Sequence, residues 1–378
     1  GQPPMTAPAA AAAGGGLPVY FGRCFGFLHR PEPSSARGRG VVLCSPDGYE
    51  TLCVYRPWRR FARALAASGL PTLRFDYPGC GDAPEADEDP ERVRAWLDGI
   101  HDAVAFLREQ TGVTEVALVG LRFGALLAAV AAQEMAASGQ PVAAVTLLAP
   151  PVSGEAFYKE LRVLAMMART KPAPGSAEPK SLQAAGFYYT PCTLGAIRAL
   201  APVQAATPPA PRMLIVDRAD GGGAALADTF RSKGAAVETM GFDGYSVLMR
   251  DAAVSDYPEA DLSRVIDWLC RDAPQTAAPS STPSPAIRET AAVPGGRESA
   301  VFTGETGLFG ILTEPETPSA GGAAFLMLNT GANHHIGTNR LSVMIARRLV
   351  REGVTVLRVD LRGLGESPSA PDRPDRTI

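Results

Sequence analysis

The sequence predicts an α/β chain built on a mostly parallel, doubly wound sheet. Three observations predict it. Short apolar runs alternate with helix-length segments from about Leu17 onward, a strand passes through a glycine turn straight into a helix at residues 116–137, and the strand rhythm stops once, between Pro150 and Pro209, where a helical insertion replaces it. At 378 residues the chain has room for two domains, one of roughly 250 to 280 residues holding most of it.

Taken in order, Gln2 to Gly16 is an Ala/Pro/Gly stretch with nothing to bury, so residues 1–16 are expected to form a disordered tail. Leu17 to Leu28, with the stretch before Arg37, reads as an opening hairpin or meander. Strands follow at Val41 to Cys44, Thr72 to Phe75, Val116 to Val119, Ala144 to Leu148, Met213 to Val216 and Ala236 to Met240. Helices fit between them at Arg56 to Ser68, Glu91 to Gln110 and Gly124 to Ala137, with a last one from Asp261 to Cys270. The first domain therefore spans 17–271. Its insertion, about 151–209, combines a helical run (Glu155 to Thr170), a Lys/Pro/Ala/Gly loop and the segment Ala184 to Ala201, and is expected to form a lid.

Residues 272–297 are rich in Pro, Ser, Thr and Ala and read as a linker. A second unit, 298–378, then repeats the first. Phe61 to Asp76 aligns without gaps on Ile345 to Asp360, and both segments run into a Gly-x-Gly loop, Gly79-Cys80-Gly81 and Gly363-Leu364-Gly365. The offset, 360 minus 76, is 284. It puts the second unit's counterpart of residue 122 near position 406, so residues 298–378 are expected to hold the opening strands, first helix and fourth strand of a second unit.

Charge and cysteine content narrow the function. Thirty-six basic against 39 acidic residues, without a long like-charge run, give no case for nucleic acid or an anionic membrane. Six scattered cysteines without a C-x-x-C pair favour reduced thiols and a cytoplasmic setting. No run approaches the roughly 18 apolar residues of a membrane span. No cofactor is expected.

The chemistry centres on Gly120-Leu121-Arg122-Phe123-Gly124. A G-x-S-x-G elbow works because a strand, a tight turn and a helix hold a serine proud of the sheet. Here the strand, both glycines and the helix are present, but arginine stands where the serine belongs. A guanidinium has no lone pair to offer and stays protonated, so Arg122 is no acyl acceptor. Asp217 and Asp220, after the strand Met213 to Val216, occupy the place of a triad acid. The place of the histidine, Gly241 to Met249, contains Tyr245 and no histidine, and the four histidines are His29, His101, His334 and His335. Nucleophile and base are absent together.

These motifs resemble the α/β-hydrolases associated with exosortase systems, in the serine-aminopeptidase-like branch. The likeness is carried by Cys44-Ser-Pro-Asp-Gly-Tyr-Glu50, Leu73 to Asp82, Gly120 to Ala125, Pro150 to Gly154 and Ala185-Gly-Phe187, with Asn329 to Leu341 as the corresponding loop of the second unit. The resemblance implies an α/β-hydrolase fold with a helical lid, followed by an incomplete second α/β-hydrolase unit, and a family activity of acyl-ester or thioester handling.

Two readings of Arg122 stand side by side. Beside the would-be oxyanion hole, formed by the backbone N–H of Phe123 and of Gly48 or Tyr49, it would bind a carboxylate or phosphate; alternatively it forms an internal salt bridge with Glu50, Asp82 or Asp243. Tyr245 would hydrogen-bond a ligand or pack against the lid, and Asp220 would complete the ligand-binding set. Cys44 and Cys80 border the pocket without a histidine partner, His334 and His335 lack a third metal ligand, and Asp76 and Asp360 read as turn-forming acids. The expected function is that of a catalytically degenerate module binding a small acyl or acidic molecule or a protein partner, with self-association through 298–378 as a further possibility. The competing function is an ester or thioester hydrolase, or an acyltransferase, whose site lies in a second unit completed beyond residue 378 or by a partner chain.

Overall fold

The computed structural model describes residues 16–85, 90–168, 181–275, 288–304, 307–322 and 324–369. A hairpin, β1 (Leu17–Phe21) and β2 (Cys24–His29), opens the chain and leads to β3 (Arg39–Cys44), α1 (Tyr49–Ala67) and β4 (Thr72–Asp76). Then come α2 (Arg92–Thr111), β5 (Glu115–Leu121), α3 (Phe123–Ala137) and β6 (Ala144–Leu148). The lid contributes α4 (Gly154–Ala168), the small hairpin β7 (Leu182–Ala184) and β8 (Phe187–Tyr189), and α5 (Pro191–Ala199). The first unit closes with β9 (Arg212–Asp217), α6 (Gly223–Ser232), β10 (Ala236–Gly241), α7 (Tyr245–Leu248) and α8 (Glu259–Cys270).

Its eight strands lie in the order β1-β2-β4-β3-β5-β6-β9-β10, parallel from β4 to β10. Strands β3, β5 and β6 are buried on both faces, which is why their central residues are largely apolar. One face packs Val42, Leu118 and Val145 against α2 and α3; the other packs Val41, Val119 and Leu148 against α1 and α8. This is the α/β-hydrolase arrangement, a mostly parallel sheet with helices on both sides.

A sheet-rich region follows: β11 (Thr290–Val293), β12 (Gly296–Thr303), β13 (Leu308–Pro315), β14 (Ala324–Met327), α9 (Leu341–Arg351) and β15 (Thr355–Val359), in the order β11-β12-β13-β15-β14. The stretch expected to be linker thus contributes strand β11. Residues 276–287, and the tail up to residue 15, lie outside the described residues.

The registers of the two sheets correspond. Val41↔Thr72, Val42↔Leu73 and Leu43↔Arg74 in the first become, 284 positions on, Phe325↔Val356, Leu326↔Leu357 and Met327↔Arg358 in the second. The antiparallel pairs Gly26↔Phe75 and Phe27↔Arg74 likewise become Gly310↔Val359 and Ile311↔Arg358.

Candidate functional site

At the end of β5 the chain reverses sharply into α3. The turn depends on its two glycines. A Cβ at Gly120 would strike the Ala125 backbone, and one at Gly124 would strike the carbonyls of Cys44 and Ser45. Between them Arg122 sits at φ 54°, ψ −122°, a strained conformation for a residue with a Cβ, held by Arg122 N–H to Leu148 O and Ala125 N–H to Arg122 O, both 2.9 Å. The backbone is that of a nucleophile elbow. Its side chain is an arginine.

That side chain is buried and engaged. Nε donates to Glu50 Oε1 at 3.1 Å, Nη1 to the Ala149 carbonyl at 3.3 Å, and Nη2 to Glu160 on the lid helix α4. Burial alone would lower the guanidinium's pKa, but Glu50, Tyr245 and Glu160 raise it further, so the charge is fixed. The salt-bridge alternative is the one realised, with a correction to its partners. Glu50 is there, Glu160 was not foreseen, Asp243 is exposed to solvent, and Asp82 turns away to the second sheet.

Glu50 and Glu160, the arginine's two carboxylate partners, line a cavity of about 490 Å³ walled also by Tyr49, Phe157, Leu161, Leu164 and Tyr189; Arg122 is not among its lining residues. Phe123 is fully buried, and its ring stacks on Phe157 of the lid at 4.5 Å. Gly48, at φ 61°, starts α1, where a Cβ would meet the Tyr189 hydroxyl. Tyr189 donates to Asp47 Oδ2 at 2.7 Å and so ties lid to loop; burial pushes the Asp47 carboxyl up, with that bond opposing. Tyr49 borders the cavity and donates to Asp251 Oδ2 at 2.8 Å.

The remaining expected site residues fall elsewhere. Asp217 accepts N–H bonds from Arg218 and Gly223, both 2.8 Å, and builds the turn after β9. Asp220 is exposed, 4.0 Å from Arg218, and does not line the cavity. Tyr245 packs on Phe242 and under the Arg218 guanidinium, 4.6 Å from its ring centre. Burial raises the thiol of Cys44 well above its usual range and that of Cys80 to about 12, so neither is an activated nucleophile.

A second polar cluster, which sequence reasoning missed, joins the two sheets. His335 lies between two acids, Nε2 2.5 Å from Asp82 Oδ2 and Nδ1 2.8 Å from Asp360 Oδ2. Burial would lower its pKa, but the two carboxylates push it up to about 10, so the ring is an imidazolium donating from both nitrogens. Arg358 binds Asp82 at 2.7 Å and Glu298 at 3.3 Å, and Arg347 binds Glu298 at 2.7 Å. Burial would raise the Asp82 carboxyl, yet His335 and Arg358 hold it well below the usual carboxylate range.

The pairing is reciprocal. Arg358 is 284 positions after Arg74, and Glu366 is 284 after Asp82. Arg358 of the second sheet grips Asp82 of the first, and Arg74 of the first grips Glu366 of the second at 2.5 Å. Arg59 Nη1 donates to Gly365 O at 2.6 Å and Arg340 Nε to Gly81 O at 2.7 Å, again equivalent acceptors. Asp76 and Asp360 close equivalent turns, accepting the N–H of Asp82 at 3.0 Å and of Glu366 at 2.9 Å; Asp360 also serves His335. The available signal was the repeat itself, which puts an arginine and an acid at matching places in both halves. His334 stacks on Tyr55 at 3.6 Å, and burial drives its pKa down to about 3, so it is neutral. Among the described residues no group of three or more His, Cys, Asp or Glu is arranged to hold a metal ion, and no helix is long and apolar enough to cross a membrane.

A family model described as alpha/beta hydrolase fold matches residues 47–200. No curated protein matches the chain. Solved structures similar to it include Est1E from Butyrivibrio proteoclasticus with ferulic acid bound, at 16% identity and TM-score 0.43, covering 67% of this chain and 96% of that one. Proline iminopeptidase from Mycobacterium smegmatis is 14% identical with TM-score 0.45, covering 67% and 97%. A serine hydrolase without a lid from Xanthomonas campestris is 16% identical with TM-score 0.41, covering 73% and 100%. The first unit of this chain has the α/β-hydrolase fold.

Proposed function

We propose that the first unit is a non-hydrolytic α/β-hydrolase module that binds an acyl-bearing small molecule in the cleft lined by Glu50 and Glu160. The observation that carries this reading is the elbow: its backbone is strained as for a nucleophile, while its side chain is an arginine clamped by Glu50 and Glu160. With no hydroxyl at the turn and no histidine at Gly241–Met249, acyl transfer has neither acceptor nor base. What is left is a binding cleft with an apolar wall from α4, bordered by Glu50 and Glu160, the carboxylates that hold Arg122. That favours recognition of the ligand through its chain more than through an anionic head. All six cysteines are unpaired, which supports a reducing, cytoplasmic setting.

Titration with a fluorescent fatty-acyl probe tests the reading. Saturable one-to-one binding is expected, weakened about tenfold or more by Leu161→Glu, which puts a charge into the wall. Binding that is absent, or indifferent to that substitution, contradicts it.

A second reading is favoured by the matched strand registers. Residues 298–378 would belong to a second hydrolase unit in the tandem, exosortase-associated arrangement that the motifs resemble, and ester or thioester chemistry would belong to that unit.

A further inference from the structure

Helix α1 carries four arginines, Arg56, Arg59, Arg60 and Arg63. Positions i, i+3, i+4 and i+7 share one face of a helix, here within about 10 Å along its axis. The near-balance of 36 basic and 39 acidic residues over the whole chain conceals this local concentration.

All four line a groove of about 30 Å³, together with Asp256 and Tyr257 from the segment before α8. Each arginine is held differently. Arg56 donates through Nη2 to the Ser255 carbonyl. Arg59 donates to Gly365 O at 2.6 Å and lies 3.4 Å from Glu366 Oε2, a carboxylate it shares with Arg74. Arg60 pairs with Glu259 on the surface at 2.7 Å, and its guanidinium lies 4.5 Å from the centre of the Tyr257 ring. Arg63 is exposed and makes no hydrogen bond or ion pair among the described residues. Asp256, the acid in the wall, gives Oδ1 to the backbone N–H of Tyr257 at 2.8 Å, and no ion pair joins it to the four arginines among the described residues. The wall itself therefore holds four cations against one anion.

A second observation points to a ligand. Tyr257 is 8% exposed, yet its hydroxyl has no hydrogen-bond partner among the described residues. A buried hydroxyl left unpaired is unfavourable, and it calls for a partner that the chain itself does not supply. An arginine stripe that only faces solvent needs no such hydroxyl beneath it, since phenylalanine would fill the same space without that cost. The chemistry also selects the ligand. A carboxylate offers two oxygens, which one guanidinium fork satisfies. A phosphomonoester offers three and carries a charge near −2 at neutral pH, which matches several guanidiniums and a hydroxyl around one small space. The groove has room for about two or three waters, enough for a phosphoryl group and too little for a sugar or a base.

We propose that this groove binds the phosphoryl group of a phosphomonoester, with Arg60 and Arg63 as its accessible cations and the Tyr257 hydroxyl donating to one oxygen. It shares no lining residue with the cleft that Glu50 and Glu160 border, so the site stands apart from the acyl-binding reading.

Isothermal titration of the full chain with glycerol phosphate, a soluble phosphomonoester, tests the assignment. One-to-one binding is expected, roughly tenfold or more tighter than that of acetate at equal ionic strength. Arg63→Gln, which strands no partner, should weaken it about tenfold. Tyr257→Phe should weaken it severalfold while the melting temperature holds or rises, because the hydroxyl removed is unpaired; a tyrosine with a purely structural role would lose stability and leave affinity alone. Arg348→Gln, at an exposed helical arginine outside the groove, should change nothing. Co-sedimentation with phosphatidylcholine vesicles containing phosphatidate separates the two sources of the group. Vesicle capture that Arg63→Gln abolishes, with weak binding of glycerol phosphate, assigns the phosphoryl group to a lipid headgroup; tight binding of glycerol phosphate without capture assigns it to a soluble molecule. Neither saturable binding nor capture overturns the proposal, as does affinity that acetate matches or that Arg63→Gln and Tyr257→Phe both leave intact.

Discussion

Replacing Arg358 with methionine keeps the bulk of the side chain and removes one charge from the joint between the sheets. Six groups form that buried cluster: the carboxylates Asp82, Glu298 and Asp360, and the cations Arg358, Arg347 and His335. Arg358, Asp360 and Glu298 are fully buried, and Asp82 nearly so. The charges balance three against three. Without Arg358, Asp82 loses its 2.7 Å partner and Glu298 its 3.3 Å one, and a net negative charge stays in a site that water does not reach. Breaking one partner of a buried pair costs about 3–5 kcal/mol, most of it the desolvation of the charge left behind. The three tryptophans, Trp58, Trp96 and Trp268, lie in the first unit, so their fluorescence in a urea titration reports that unit, while hydrogen exchange at β13 and β15 reports the joint. The substitution should raise exchange in β13 and β15 by two orders of magnitude or more, following from about 3 kcal/mol, and should shift the fluorescence midpoint far less. Asp82→Asn combined with Arg358→Met should cost about 2 kcal/mol less than the two separate changes summed. Strictly additive costs, or exchange unchanged in the single variant, would refute the account of the joint.

The reciprocal arm makes a similar demand, so Arg74→Met, which leaves Glu366 with only Arg59 and Tyr55, should loosen β13 and β15 to a smaller degree. His335 sets a pH dependence. Its pKa is about 10 in the fold against 6.5 unfolded, so its stabilisation is complete below pH 6.5 and is lost as pH rises toward 10. His335→Gln should flatten unfolding free energy against pH across that window, and a retained slope would assign it to other groups. Arg122→Ser restores the elbow's usual residue but strands Glu50. It should cost roughly 1–3 kcal/mol, discounted because Glu160 is half-exposed, and give no esterase activity for want of a histidine; turnover of a p-nitrophenyl acyl ester would contradict that. Gly124→Ala forces a carbon onto the Cys44 and Ser45 carbonyls and should cost about 3 kcal/mol or more by thermal unfolding.

Strands buried on both faces were legible because their middles are largely apolar: Ala144 to Leu148, in which Thr146 is the one polar residue, appears at the bounds the sequence suggested, and β3, β5 and β9 differ by two residues or fewer at each end. Helix α1 begins at Tyr49, seven residues before the expected start. Pro57 sits inside it, and burial of Leu52, Val54 and Trp58 outweighs the proline's lost hydrogen bond. Helix α6 went unread because its glycine-rich start looks like loop, and β11 because a short alternating Thr-Ala-Ala-Val segment does not stand out within a Pro/Ser/Thr-rich stretch.

The candidate site divides along the same line. The elbow was legible from five residues, because the glycine requirement is local. Partners were not. Glu50 and Glu160 reach Arg122 across 72 and 38 positions, and only the fold decides that a lid glutamate reaches the arginine while Asp243 remains in solvent. The joint between the sheets was half-written in the repeat, which gives both halves an Arg and an acid at matching places. That each Arg takes the acid of the other half is a fact of docking geometry, invisible to a one-dimensional alignment.

The claim on which the functional reading depends is that the elbow holds no usable nucleophile. Intact-mass spectrometry of the folded chain after exposure to an alkyl fluorophosphonate tests it most directly. The account predicts an unmodified mass under conditions that label a serine hydrolase completely. An adduct that maps by peptide sequencing to a residue bordering the cleft lined by Glu50 and Glu160 would contradict it.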